Sequence, residues 1–463
     1  MHRDRRLLIL IVPVLVFLLL ATGLYRAHDH LSRITKLHIP FLSDDDSTGS
    51  DAAQATAPTT TPSTATSIAT SAPTPTPTPP KDTPLSGIKD GAILSAERIT
   101  PYIAAILDFS TAKGDHLQCP PLNETRYQSL KDSPPEDPSL AYFFALDLRN
   151  CRALLPRLLG SIVEAARFLG PDRCALSIVE GNSPDGTGDI LAALGPELRA
   201  LGMAYHYQQS DINPSKGSRI PKLAALRNLA LAPLVDTNST LALKASPDTT
   251  VLFVNDVAAC AEDLLELALQ RRRLSADMTC AMDWTYVGPD PTFYDVWVAR
   301  GITGDSFFEI PSDGSWDRAW HLFWNDATSK ARLAAARPFQ VFACWNGATA
   351  FTAKPLLGPK GLRFRDVHPD ECGQGEPQMF CKDLWHRGYR KIAVVPSVSL
   401  EYSDEGGKKI KALKGFTSDV VRRQTPEDDA IDWAGPPDKV KCMQGWQNQF
   451  WRPWNETLKG DAG

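Results

Sequence analysis

The chain has 463 residues, longer than one average domain, and a formal net charge of −5. With a pI near 6.0 it lacks the basic surface of a general nucleic-acid or anionic-membrane binder. Its nine cysteines are odd in number, so at least one thiol stays outside intrachain disulfides, and their spacings match no zinc pair.

The basic tail Met1-His2-Arg3-Asp4-Arg5-Arg6 precedes an uncharged apolar run, Leu7 to Leu24. That run is long enough for a short membrane helix, and the arginines place its N-terminal side in the cytosol. A cleaved signal peptide ending at Ala21-Thr22-Gly23 is the competing reading, but the run exceeds a usual signal core. A short span also suits the thinner membranes early in the secretory pathway. The sequons at Asn123, Asn238 and Asn455 agree with a luminal location. Residues 25–93 contain a Ser/Thr/Pro-rich stretch, with Pro73-Thr74-Pro75-Thr76-Pro77-Thr78-Pro79-Pro80 at its densest. Such a composition buries no core and reads as a stem, leaving 94–463 as one luminal globular domain.

Within that domain, Ala141–Leu146 reads as a strand, Cys151–Leu169 as an amphipathic helix and Cys174–Val179 as the next strand. A polar, glycine-rich turn, Glu180 to Gly188, leads into a helix over Asp189–Leu201. The alternation implies βαβ units and an α/β fold with a mostly parallel mixed sheet flanked by helices. No Gly-Lys-Ser/Thr follows the turn, which excludes a Walker loop. Further on, Val251-Leu252-Phe253-Val254-Asn255-Asp256-Val257 is a core strand that delivers Asp256 to the carboxyl edge of the sheet, where ligands sit. A carboxylate there can hold a divalent cation against a nucleotide diphosphate. The alternative is that Asp256 caps the next helix, about Cys260–Arg273. That helix opens on Glu262 and Asp263 and closes on Arg271-Arg272-Arg273, the order its dipole favours, with the arginines read as a solvated end.

Ile178-Val179-Glu180, Asn182-Ser183 and Asp185-Gly186-Thr187 look like the donor-binding start of a GT-A type nucleotide-sugar glycosyltransferase. Lys222-Leu223-Ala224-Ala225-Leu226-Arg227-Asn228 resembles the helix that brings an Arg-Asn pair near the nucleotide. Asn255-Asp256-Val257 stands where such enzymes place an Asp-x-Asp metal motif. Together with Ala276-Asp277-Met278-Thr279-Cys280-Ala281-Met282-Asp283-Trp284, Cys344-Trp345-Asn346-Gly347 and Phe380-Cys381-Lys382-Asp383-Leu384-Trp385, these stretches closely resemble the fungal capsule-associated α-1,3-mannosyltransferase family (glycosyltransferase family 69). The resemblance covers about Leu94 to Tyr402.

It implies a GT-A-like fold and a Golgi type II membrane enzyme that passes mannose from GDP-mannose to a mannose-containing glycan, with retention and with Mn2+ or Mg2+ as the divalent cation. It also implies site residues. Glu180, Asn182, Ser183, Asp185, Arg227, Asn228, Asn255, Trp345, Asn346 and Gly347 would bind the nucleotide sugar, Asp256 the metal. Glu376, Asp283 and Glu371 are the candidate catalytic acids. Other functions on the same sequence are transfer from another donor, such as a xylose or glucuronate nucleotide, and a non-catalytic, membrane-anchored role in a polysaccharide-synthesis complex.

The chain departs from the pattern in two places. The metal motif has one acid, Asp256, beside Asn255, which can lend a carbonyl oxygen. Where several retaining enzymes end on a metal-binding histidine, this chain has Tyr402. Plainer roles compete for several residues. Trp345-Asn346-Gly347 is either a pocket wall or a tight turn. Glu376, followed by Pro377, also suits a helix start. Glu371 reads equally as a solvated loop acid, and Asp283 as a strand-end acid satisfied by backbone amides. His321 and His368 are isolated and read as structural.

Overall fold

The runs read as strands lie side by side in one sheet in the computed structural model, which describes residues 87–132, 140–236, 245–425 and 429–458. These all belong to one unit, Pro84–Gly463. The expected anchor, the stem up to residue 86 and the sequon at Asn238 lie outside the described residues. Among the described residues, no helix is long and apolar enough to cross a membrane.

The strands are β1 (Leu140–Leu148), β2 (Cys174–Glu180), β3 (Ala204–Gln209), β4 (Ala245–Val254), β5 (Met278–Tyr286), β6 (Pro291–Phe293), β7 (Arg300–Gly301), β8 (Phe339–Ala343), β9 (Ala348–Thr352) and β10 (Ile392–Leu400). Their order is β3-β2-β1-β4-β9-β5-β10-β8-β7, with β6 beside β5. β1 runs parallel to β2 and β4, β2 to β3, and β5 to β10. β9 is inserted antiparallel between β4 and β5. β8 opposes β10 and β7, and β6 opposes β5. Strands β1 to β5, β7 and β10 therefore point one way, so the carboxyl ends of β1, β4 and β5 share one edge. This is the mostly parallel, mixed sheet expected.

The described helices are α1 (Ala96–Leu107), α2 (Glu124–Tyr127), α3 (Leu155–Leu169), α4 (Thr187–Ala200), α5 (Arg219–Val235), α6 (Ala261–Arg273), α7 (Ala327–Ala334), α8 (Glu376–His386), α9 (Asp404–Lys414) and α10 (Thr417–Val421). Side chains alternate across the sheet, as strand geometry requires. On β1, Tyr142, Phe144, Leu146 and Leu148 join the core beneath α1, α3, α4 and α6. Phe143 and Ala145 join the opposite core, with α5, α8 and a cluster of aromatic rings. Every residue of β2 is buried, which explains why its sequence reads as a continuous apolar run rather than an alternation.

The domain starts earlier than Leu94. The Asp189 carboxylate accepts the backbone N–H groups of Ala92, Ile93 and Leu94, which docks this segment onto α4. The cysteines resolve into the disulfides Cys119–Cys260, Cys280–Cys344 and Cys372–Cys442, with Cys151, Cys174 and Cys381 free and buried. Cys372–Cys442 staples a hairpin, β11 (Lys439–Gly445) and β12 (Asn448–Pro453), to the loop before α8. The expectation of a solvated arginine end on α6 is corrected. Arg271 donates to Thr250 Oγ1 at 2.8 Å, and burial lowers its guanidinium to about 10. Of the three, only Arg273 is exposed.

Candidate active site

Five acids converge at the carboxyl edge of the sheet. Asp147 is the penultimate residue of β1, on the same face as Phe143 and Ala145. Asp256 lies two residues beyond β4, Asp283 on β5, Asp295 just after β6, and Glu376 opens α8. Burial pushes the Asp147 carboxyl up to about 6, with Glu376 and Asp256 adding to the rise and Arg227 opposing it. Burial likewise raises Asp256 to about 6, again against Arg227. Asp283 is held well above the usual carboxylate range, first by burial and then by Asp295 beside it. One of its oxygens accepts the Tyr402 hydroxyl at 2.6 Å, and the other is buried with no hydrogen-bond partner among the described residues. Tyr402 thus binds an acid directly.

Arg227 supplies the opposing charge. It lies on α5, which packs across β1 and β2. Its Nε donates to Glu376 Oε1 at 2.7 Å, and its guanidinium rests over Trp345 (4.7 Å) and Phe253 (5.1 Å). Its Nη1 is buried with no hydrogen-bond partner among the described residues. Such an orphaned donor beside a ligand edge suits an anionic group. The neighbouring Asn228 does something else. Its amide exchanges two hydrogen bonds with the Phe364 backbone, so it pins that segment.

Trp345-Asn346-Gly347 lies in the short link between β8 and β9, which run the same way and do not pair, and it turns there through positive φ at both Asn346 (53°) and Gly347 (81°). The expectation of an open pocket wall is corrected at Trp345, which is only 1% exposed. Its indole N–H donates to Asn255 Oδ1 at 3.2 Å. Asn346 donates its backbone N–H to Asp295 and its amide to the Ala281 carbonyl. A side chain on Gly347 would meet Val257 and Asp283. The turn is a strut that sets the acids and the Asn255-Asp256 pair.

The turn after β2 also serves mainly to shape the edge. Glu180 accepts the Ser183 N–H, Ser183 Oγ accepts the Asn150 N–H, and Asp185 accepts from Thr187 and the Arg152 N–H. The loops following β1 and β2 are knitted together by these bonds. Asn182, with φ 57°, is exposed. Glu371 is corrected in both of its expected roles. Its carboxylate is buried and ion-paired to both Arg365 and Lys382, so it is neither solvated nor free to exchange a proton. Burial alone would raise it, but hydrogen bonds from Arg365 and Lys382 hold it at about 2.

Asp256 does not cap α6. The cap is Cys260, whose N–H is accepted by Asp263 Oδ2 at 2.8 Å. Asp256 and Asn255 offer hard oxygen donors, and a carboxyl whose ionisation burial disfavours is one that a cation beside it would favour as the anion. Among the described residues no three His, Cys, Asp or Glu side chains are placed to cage an ion. A metal here would take few protein ligands and complete its shell with water and phosphate oxygens, as Mg2+ commonly does. Asp147 and Asp295 are the acids that sequence reasoning missed.

The family model described as Cryptococcal mannosyltransferase 1 matches residues 141–383, which contain every one of these acids. The alpha-1,3-mannosyltransferase CMT1 of Cryptococcus neoformans is 36% identical over 343 residues, covering 68% of this chain and 72% of that protein. Among solved structures, the mannosyltransferase PcManGT of Pyrobaculum calidifontis, in complex with GDP-Man and Mn2+, aligns at 12% identity and a TM-score of 0.35, over 70% of this chain and 74% of that one. S. aureus TarS 1–349 aligns at 15% identity and 0.32, over 62% of this chain and 68% of that one. Those two overlaps are loose. On the family match and the curated relative, the chain belongs to the cryptococcal mannosyltransferase family and is a glycosyltransferase.

Proposed function

We propose that the protein transfers mannose from GDP-mannose, with retention and α-1,3 linkage, to a mannose-containing glycan of a cell wall or capsule. The observation that carries this is Arg227 buried beneath the strand-end acids with an unpartnered Nη1, beside Asp256. Arg227 would hold the diphosphate, and Asp256 with Asn255 would hold a divalent cation, Mn2+ or Mg2+. When bound, that cation neutralises charge on the leaving diphosphate. Asp283 and Glu376 are the acids available to an oxocarbenium-like sugar. Asp283, whose carboxyl is pushed up by burial and by Asp295, has one oxygen without a hydrogen-bond partner among the described residues to offer the sugar, while Glu376 fixes the Arg227 fork.

The arginine tail and the apolar run Leu7–Leu24 support a single-pass type II placement in the Golgi, with the domain luminal and glycans on Asn123, Asn238 and Asn455. Asn123 is exposed and uses only its carbonyl oxygen, as a helix cap to Arg126 N–H, which leaves its amide nitrogen for a glycan.

The test is to incubate the full-length protein in detergent with a panel of sugar nucleotides, with and without Mn2+, and to follow nucleotide release and linkage. GDP-mannose turnover into an α-1,3 product is expected. Turnover of a different donor would replace the mannosyl reading. Inactivity with every donor and acceptor would favour a non-catalytic role.

A further inference from the structure

The segment after β6 faces two ways. Asp295 is turned to the acid cluster, where it accepts the Asn346 N–H. Tyr294 and Trp297, on either side, remain partly exposed, Tyr294 by 37%. The Tyr294 ring packs at 4.7 Å, tilted by 50°, against that of Tyr402, whose hydroxyl donates to Asp283. Burial and the charges of Asp283, Asp295 and Asp256 push the Tyr294 hydroxyl up to about 12, so this ring lies at the cluster's mouth.

Trp297 pairs at 4.5 Å with Trp446, in the turn of the β11–β12 hairpin. Both are firmly placed. Gln374 donates to the carbonyls of Trp297 and Met443, and Cys372–Cys442 staples the hairpin to the loop that leads into Glu376. Trp446 lies so close to Gly314 that a side chain there would meet the indole at 2.8 Å. Uncharged, partly exposed rings beside an acid-rich site suit a neutral hydroxylated ligand. The apolar face of a pyranose can lie on a ring while its hydroxyls reach carboxylates. A second anion would be repelled.

We propose that Tyr294 and the Trp297–Trp446 pair form the acceptor subsite, with Tyr294 against the sugar that is extended and the tryptophans against sugars further along the acceptor chain. This rests on the glycosyl-transfer reading above. It is tested on the full-length protein in detergent, with GDP-mannose as donor and an α-mannobiose and an α-mannotetraose as acceptors.

Tyr294→Ala is expected to raise the acceptor KM roughly tenfold while the donor KM moves by less than about twofold. Tyr294→Phe keeps the ring and should keep the wild-type acceptor KM. Trp446→Ala should raise KM for the tetraose by roughly fivefold or more and spare the biose. An unchanged acceptor KM in Tyr294→Ala and Trp446→Ala overturns the subsite and leaves glycosyl transfer standing. So does an equal rise in donor and acceptor KM, which marks a general distortion. A wild-type protein that transfers to neither acceptor takes both readings down.

Discussion

Arg227 donates its Nε–H to Glu376 Oε1 at 2.7 Å, joining α5 to the first residue of α8. Both partners are largely covered, with side chains 11% and 3% exposed. Removing the cation alone leaves a buried carboxylate without its partner. Arg227→Ala should therefore cost about 3 kcal/mol in urea unfolding. Arg227→Lys keeps a charge but not the fork, so it should unfold later than the alanine variant and still show a raised donor KM.

Glu376→Gln separates two roles for the acid. A higher donor KM with kcat retained marks a residue that positions Arg227. Loss of kcat by about three orders of magnitude marks a group at the anomeric carbon. The short bond to Arg227 predicts the first outcome.

Asp283 gives a pH signature. Its folded-state value lies well above its ordinary 3.8, so its contribution to stability is present below that value and is lost as pH rises through the folded value. Asp283→Asn mimics the neutral acid and does not titrate. Urea unfolding at a series of pH values should therefore show the variant gaining on the wild type as pH climbs from 3.8 upward. Parallel curves across that range would mean that Asp283 is ionised in the folded protein.

Glu371 behaves in the opposite sense. Held at about 2 instead of 4.5, it stabilises the fold above 4.5, and that contribution is lost as pH falls toward 2. Glu371→Gln leaves Lys382 and Arg365 with fewer counter-charges and should cost about 3 kcal/mol at neutral pH, a gap that closes on acidification. Turnover per folded molecule should stay close to wild type. A thousandfold loss of kcat with stability intact would restore Glu371 as a catalytic acid.

Much of the fold was legible because β1, β2 and β4 are apolar runs between helical patterns, and their carboxyl ends named the edge where Asp256 sits. The same logic stopped one residue short of Asp147, at Leu146, because Asp147 looks like the polar end of a strand when only the apolar run is followed. Asp295 had no local signal. β6 is three residues long, and its place comes from pairing with β5. The role of Trp345 depended on a partner 90 residues away, Asn255, and that of Glu371 on Arg365 and Lys382, 6 and 11 residues away across a loop and a helix start that spacing does not fold together. Asn346-Gly347, by contrast, announced its turn directly through the residue types that accept positive φ.

Asp256 is the position on which the proposed chemistry turns, and the structure narrows what its replacement can do. Cys260 and Asp263 cap α6, so Asp256→Ala removes no cap and should not cost the roughly 1 kcal/mol that cap loss brings. Burial already disfavours the Asp256 carboxylate, so the alanine variant should unfold at the wild-type midpoint or slightly above it near neutral pH. Its GDP binding, measured by calorimetry, should lose the gain that Mn2+ confers on the wild type, and transfer should vanish. Asn255→Ala should be milder in transfer. It removes the acceptor for the Trp345 indole N–H, so its main cost should fall on stability. A fully active Asp256→Ala protein would sink the metal assignment and move cation binding, if any, to Asp147 or Asp295.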